Sequence, residues 1–275
     1  MALKITTLIE NTKGDNMALK SEHGISFFIE KDGNKLLFDT GQTGIFMENA
    51  EDLKIDLSVL DFVIISHGHY DHSGGFKGLA EVAHNFKLIV GDGFFNKKYG
   101  FKNNTYKFLG NNFDEQFLSK KDIPYRFVTE DITEIVSGIY VITNFQRIHK
   151  DEVINPRFKL IENDKYVNDT FKDEVLIAID TPEGLVVLLG CSHPGMKNML
   201  DSVRKILGKP IYAVFGGTHL VEASDGSFDI SMEYMKNSEM KIIGVSHCTG
   251  QKAMDNLSIS NDRYIHNSTG SIFQL

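Results

Sequence analysis

Residues 67–72 read His-Gly-His-Tyr-Asp-His, which puts three imidazoles and a carboxylate within six positions. Neutral imidazole and ionised carboxylate are ligands for zinc, and also for iron or manganese. The segment follows the apolar run Phe62-Val63-Ile64-Ile65, which reads as a buried strand bounded by Ser66. It precedes Ser73-Gly74-Gly75 and a helical pattern through Leu79, Val82 and Ala83. The donors therefore fall on a strand-to-helix turn, where a scaffold holds side chains rigidly and sites commonly form. Side chains alternate along an extended chain, so His67 and His69 point the same way and can grip one metal together. Asp71 and His72 fall where the chain turns and can face a second metal nearby. The bland alternative is a solvated polar turn, and the density of donor residues at one strand end argues against it.

Other short apolar runs share this habit of ending in a polar residue. Residues 25–30 and 35–38 flank Lys31-Asp32-Gly33-Asn34, a hairpin signal, and the second run ends at Asp39. A helical segment is expected near 45–53, and a strand over 87–90. Residues 94–130 break the rhythm with Phe, Tyr, Asn and Lys, as in Phe94-Phe95-Asn96-Lys97-Lys98-Tyr99, and part of this stretch reads as an insertion or lid. Further on, 175–179 and 185–189 flank Asp180-Thr181-Pro182-Glu183-Gly184, a second hairpin, and lead into Gly190-Cys191-Ser192-His193-Pro194-Gly195. A helix follows with Met199, Val203, Ile206 and Leu207 on one face and Gly208 as its stop. The strand at 211–215 leads to His219, residues 230–240 look helical, and the strand at 242–245 leads to His247. Five strand ends thus offer Asp39, His67, Cys191 with His193, His219 and His247. In α/β sheets ligands gather at the carboxyl edge.

The chain as a whole sets limits. Its 275 residues suit one large α/β domain or two fused halves, and we treat 1–275 as a single domain. A formal net charge of -8 argues against a general nucleic-acid binder, which would want a basic face. No apolar stretch is long enough for a membrane span, and the first residues lack the design of a signal peptide. The two cysteines, Cys191 and Cys248, form no paired-cysteine motif, so a reducing cytoplasm is the expected setting.

Asp39 in Phe38-Asp39-Thr40-Gly41, the 67–72 block, His193 and His247 resemble the motifs of the metallo-β-lactamase superfamily. The match runs from about residue 8 to the end. The resemblance implies an αββα sandwich of two similar halves with metals at one edge. It implies His67, His69 and His193 on one metal and Asp71, His72 and His247 on a second, with Asp39 a buried carboxylate supporting them. Two divalent ions per chain are implied, zinc first, with iron, manganese or magnesium as alternatives. Many members carry a metal-bridging Asp where this chain has Cys191, so Cys191 is either a thiolate ligand or a buried structural cysteine. Ser21-Glu22-His23-Gly24, Gly190–Gly195 followed by Asn198, and His247-Cys248-Thr249-Gly250 resemble one branch of the superfamily. Its archaeal members are dihydropterin-linked ribofuranosylaminobenzene phosphate synthases, and other members are known only as metal-dependent hydrolases.

The chemistry implied first is hydrolysis of a small, anionic phosphoester or ester by metal-activated water, with Asp71 orienting the nucleophile. His219 is the residue type best suited to act as general acid. The alternative is a transferase that joins a dihydropterin methyl diphosphate to a ribofuranosylaminobenzene phosphate with loss of pyrophosphate. Di-iron redox chemistry is disfavoured, because such relatives tend to carry Glu at the position of His69 and need a flavin partner. A catalytically dead binding protein is disfavoured by the intact 67–72 block. His23 is a pocket candidate, Arg147 and Lys150 could meet an anion, and His84 belongs on an exposed helix. Cys248 is left out, since alternation along an extended segment would turn it away from His247.

Overall fold

The computed structural model describes residues 2–275, and the chain divides into two compact units. The first contains described residues 2–127, 156–173 and 268–275, and the second contains 128–155 and 174–267. Their elements follow in chain order. The first pass through unit one gives β1 (Leu3–Ile9), β2 (Ser26–Lys31), β3 (Asn34–Phe38), α1 (Ile45–Asp52) and β4 (Phe62–Ile65). It continues with α2 (Tyr70–Ser73), α3 (Phe76–Val82), β5 (Lys87–Gly91), β6 (Lys98–Lys102), β7 (Thr105–Phe108), α4 (Glu115–Lys120) and β8 (Tyr125–Val128). Unit two opens with β9 (Ile132–Val136) and β10 (Ile139–Ile142), and the chain returns to unit one for β11 (Phe158–Glu162) and β12 (Lys165–Asn168). Unit two resumes with β13 (Leu176–Thr181), β14 (Gly184–Leu189), α5 (Met196–Leu207), β15 (Ile211–Gly217), α6 (Asp225–Asn237), β16 (Ile242–Ser246) and α7 (Gln251–Ser260). The last strand, β17 (Ile272–Gln274), belongs to unit one.

Unit one carries a seven-stranded sheet in the order β17-β1-β2-β3-β4-β5-β8. Its β2–β3 hairpin turns at Asp32-Gly33, both with positive φ, which suits the right-handed twist of the flanking strands. The strands β3, β4 and β5 then run parallel, so the ends of β3 and β4 lie side by side at Asp39 and Ser66. Parallel strands buried on both faces are expected to be continuously apolar, and Val63, Ile64 and Ile65 are fully buried. The core of this unit gathers Leu37, Val63, Ile65, Phe76, Leu88 and Phe94 with helix and loop residues such as Phe46 and Leu79.

The aromatic stretch after residue 94 supplies β6 and β7, which join β11 and β12 in a separate four-stranded antiparallel sheet ordered β12-β11-β6-β7. The remainder of 94–130 contributes α4 and the edge strand β8 of the large sheet. Stacked Tyr106 and Tyr166, with ring centroids 3.5 Å apart, lie across the small sheet. His84 is exposed, but it follows the end of α3 instead of lying on a helix.

Unit two is built on a six-stranded sheet ordered β16-β15-β14-β13-β10-β9, in which β14, β15 and β16 are parallel. Helix α5 buries Met196, Met199, Leu200 and Val203 on this core and stops at Gly208, which is left-handed at φ 63°. The helix expected over 230–240 begins earlier, at Asp225, because the Ser224 side chain accepts the Ser227 N–H as an N-cap. Among the described residues no helix is long and apolar enough to cross a membrane.

Candidate metal centre

In unit one the site begins with two parallel strand ends. Asp39 follows β3 in the left-handed region at φ 62°, a conformation that costs a non-glycine residue energy and is common at functional positions. Its fully buried carboxylate accepts the Ser66 N–H at 2.6 Å and the Ser66 hydroxyl at 2.8 Å. It also accepts from His72 Nδ1 at 2.6 Å. The single Ser66 hydroxyl proton is thus directed to Asp39, so Ser66 Oγ accepts from His67 Nδ1, 3.0 Å away. Protons assigned this way to both Nδ1 atoms leave the Nε2 lone pairs of His67 and His72 on the opposite side of each ring.

Those Nε2 atoms meet the remaining donors of the block. His67 Nε2 is 3.1 Å from His69 Nδ1, and His72 Nε2 is 3.7 Å from Asp71 Oδ2. A tetrahedral zinc with nitrogen ligands at about 2.0–2.1 Å separates two such ligands by about 3.3 Å. Both pairs are therefore near a chelating separation, and they are the pairs that the spacing predicts. Burial, with the nearby His72 and His69 adding to it, pushes the His67 pKa well below its ordinary value. The neutral imidazole that results is the form that binds a metal. These observations fit the donor set to a divalent ion.

The turn is braced from outside the block. Gly68 donates its N–H to Asp173 Oδ2 at 2.8 Å, and a Cβ at Gly68 would lie 2.4 Å from the Phe94 carbonyl oxygen, so the position excludes a side chain. Lys98 Nζ donates to Asp173 Oδ1 and to Asp169 Oδ2, both at 2.8 Å, and all three residues are buried. Burial opposes the Lys98 charge, yet the two carboxylates outweigh it and raise its pKa. One ammonium cannot neutralise two carboxylates, and burial together with the Asp169 charge raises the Asp173 pKa. The Phe171 ring lies under Lys98 at 4.7 Å and meets His69 edge-on at 5.3 Å, with Phe158 at 5.4 Å from the same imidazole. His23, exposed on a loop, places Nε2 3.2 Å from Asp71 Oδ2.

In unit two the predicted residues again follow strand ends. Cys191 and His193 come after β14, His219 after β15 and His247 after β16, all 6 % exposed or less except the half-buried His219. Ser192, His219 and His247 have φ between 54° and 61°, so the left-handed backbone seen at Asp39 recurs here. Glu174, fully buried, holds the Cys191–His193 turn: it accepts the Ser192 N–H through Oε1, and the His193 N–H through Oε2 at 2.9 Å. Arg147, proposed from sequence as an anion contact, donates to the Pro194 carbonyl at 2.6 Å and braces the same turn. Lys150 donates to the Arg147 carbonyl. The His193 and His219 ring centroids are 4.2 Å apart.

Cys248 is a correction. Residues 247–249 form a 3-10 turn, so strict alternation fails and the thiol turns inward. Its sulfur, the Cys191 sulfur and a ring nitrogen of His219 all lie within 4.8 Å of one another. Burial opposes ionisation of Cys248, but contact with Cys191 and the charges of His247 and His219 bring its pKa well below the usual value. His219 is likewise disfavoured as a cation by burial, and hydrogen bonding to Cys248 and Glu222 raises it instead to about 10. Sequence reasoning also missed Lys98, Phe158, Phe171, Asp173 and Glu174. Asp173-Glu174 carried one usable signal, a carboxylate pair abutting an apolar strand.

The fold and these clusters define the class: the chain belongs to the metallo-β-lactamase superfamily, whose family model matches residues 23–149. A curated relative, 7,8-dihydropterin-6-methyl-4-(β-D-ribofuranosyl)-aminobenzene-5'-phosphate synthase of Methanocaldococcus jannaschii, is 33% identical over 91% of this chain and 89% of its own. A second protein of that organism, uncharacterised, is 32% identical over 94% of this chain and 96% of its own. The crystal structure of Tm1679, a metal-dependent hydrolase of the β-lactamase superfamily, superposes with a TM-score of 0.85 at 28% identity, covering 99% of each chain.

Proposed function

We propose that this chain is a metal-dependent hydrolase acting on a small, anionic phosphoester or ester. The observation that carries the reading is the convergence of buried donor pairs in unit one, His67 with His69 and His72 with Asp71, on tautomers set by Asp39 and Ser66. The likeness to Tm1679 supports the reaction class. Within unit one, the superfamily pattern gives His67 and His69 to one ion and Asp71 and His72 to a second. Zinc suits these donors best, with iron, manganese or magnesium as alternatives. Divalent ions held there would supply Lewis acidity and bring the pKa of a water toward neutrality.

The chain's own residues do the rest. Asp39 and Ser66 keep both Nδ1 protons on the far side of their rings, so the Nε2 lone pairs stay available. Asp71, only 7 % exposed, orients the attacking water through its carboxylate, and His23 lies beside it as a contact for the substrate's negative charge. Phe158 and Phe171 wall the His69 side and limit water there.

A second reading, transferase chemistry, is favoured by the 33% identity to the dihydropterin-linked synthase. A carbon nucleophile would then replace water, and a pyrophosphate would leave. One experiment separates the two. The purified protein is incubated with a panel of phosphoesters and esters, and with a dihydropterin methyl diphosphate in the presence or absence of a ribofuranosylaminobenzene phosphate. Release of phosphate, alcohol or acid with no second substrate supports the hydrolase. Turnover that strictly requires the pterin diphosphate and the aminobenzene together refutes it in favour of the transferase.

A further inference from the structure

We infer that Cys191, Cys248 and His219 form a soft-metal site at the carboxyl edge of the unit-two sheet, selective for a thiophilic divalent ion such as zinc. The inference rests on residues separate from the unit-one pairs described above. Its basis is the strand arrangement. The parallel neighbours β14, β15 and β16 end at Leu189, Gly217 and Ser246. Each places one donor two residues beyond its end: Cys191, His219 and Cys248. Three adjacent strands therefore deliver two sulfurs and an imidazole to the same edge, with all three donor atoms within 4.8 Å of one another.

The middle strand makes room for this meeting. A Cβ on Gly217 would lie 2.4 Å from Cys248 Sγ and 3.3 Å from Cys191 Cα, so only glycine lets the outer two residues lean over β15. The backbone locks the arrangement, since Gly217 donates to the Gly190 carbonyl at 2.9 Å and the Ser192 hydroxyl donates to the Gly217 carbonyl at 2.7 Å. Neither cysteine is in a disulfide. A tetrahedral zinc with sulfur ligands at about 2.3 Å holds two sulfurs about 3.8 Å apart, so closure on an ion needs shifts of about an ångström at most.

His219 carries the remaining signature of a ligand. Its Nε2 lies 3.4 Å from Glu222 Oε2, the carboxylate–imidazole pairing that orients metal-bound histidines. A ring nitrogen of the same imidazole lies within 4.8 Å of both sulfurs. This assignment replaces the proton-donor role that residue type alone suggested for His219. Three protein ligands leave a fourth position open, as in catalytic zinc sites. Two thiolates favour zinc or ferrous iron over magnesium, which prefers oxygen.

Cobalt(II) replaces zinc and reports its ligands by colour, so the test is the near-ultraviolet thiolate-to-cobalt absorption of the cobalt-loaded full-length protein. The expected result is a thiolate band in the wild type, reduced to about half in Cys248→Ser and in Cys191→Ser. The band should persist in a His67→Ala/His72→Ala variant, whose unit-one ligands are gone. Cobalt bound without a thiolate band overturns the inference and leaves the hydrolase reading standing. A band unchanged in Cys248→Ser overturns it too, since Cys191 would then be the sole thiolate. No cobalt bound at all removes both readings. Cadmium–thiolate absorption of the wild type is a second readout that needs no variant: an intensity of two thiolates per chain supports the site, and one or none overturns it.

Discussion

Substituting Lys98 by Met would leave Asp169 and Asp173, 3 % and 2 % exposed, with no ammonium between them. Methionine replaces the apolar stem over Phe171, so the change isolates the charge. Removing one partner of a buried ion pair costs about 3–5 kcal/mol, because an uncompensated charge stays behind. With a urea slope of about 2–3 kcal/mol per molar, the unfolding midpoint should fall by about 1–2.5 M, read by far-ultraviolet circular dichroism. The pH dependence has a definite sign. Burial raises the Asp173 pKa above its unfolded value of about 3.9, and without Lys98 that carboxyl favours the native state only when protonated. The deficit should therefore be greatest at neutral pH and shrink as pH falls toward about 4. Asp169→Asn/Asp173→Asn in the Lys98→Met background should recover much of the loss. A midpoint shift below about 0.3 M, or a deficit that grows in acid, would refute the claim that this triad is a charge-balanced unit.

Three further outcomes follow from the hydrogen bonds. Asp39→Asn removes an acceptor shared by Ser66 and His72, and metal affinity measured by chelator competition should drop about 10–100-fold with little change in helix content. Glu174→Gln keeps one acceptor and turns the other into a donor facing the Ser192 and His193 N–H groups, so unfolding free energy should fall by about 1–3 kcal/mol in urea titration. For Asp201, burial raises the carboxyl, but hydrogen bonds from His149 and Tyr234 and the Arg204 charge outweigh it and lower its pKa below 3.8. Its stabilisation is present above that value and lost as pH falls through the depressed one, so the wild type should lose stability more steeply than Asp201→Asn in thermal melts below about pH 4.

What could be read from the chain before its structure was known follows a physical division. Residues 67–72, Asp39, Cys191, His193, His219 and His247 announce themselves because strand ends are local: an apolar run, a glycine-rich turn and a donor side chain lie within a few positions. Both hairpins and the Gly208 helix stop were evident for the same reason. Lys98, Asp169 and Asp173 were not, because a buried ion pair joins residues more than 70 positions apart and each looks like an ordinary surface charge in sequence. The strands in 98–108 and 158–168 were hidden by exposed aromatic and lysine side chains, which fit a two-sided, partly solvated sheet as well as a loop. Cys248 was misread because the 3-10 turn after β16 breaks the two-residue period on which the orientation argument depended.

Whether the 67–72 block holds metal is decided by elemental mass spectrometry of the purified full-length protein beside His67→Ala and His72→Ala. The wild type should hold zinc, iron or manganese at about two ions per chain, lowered in each variant. No transition metal in the wild type, even after incubation with each ion and removal of excess, would contradict it.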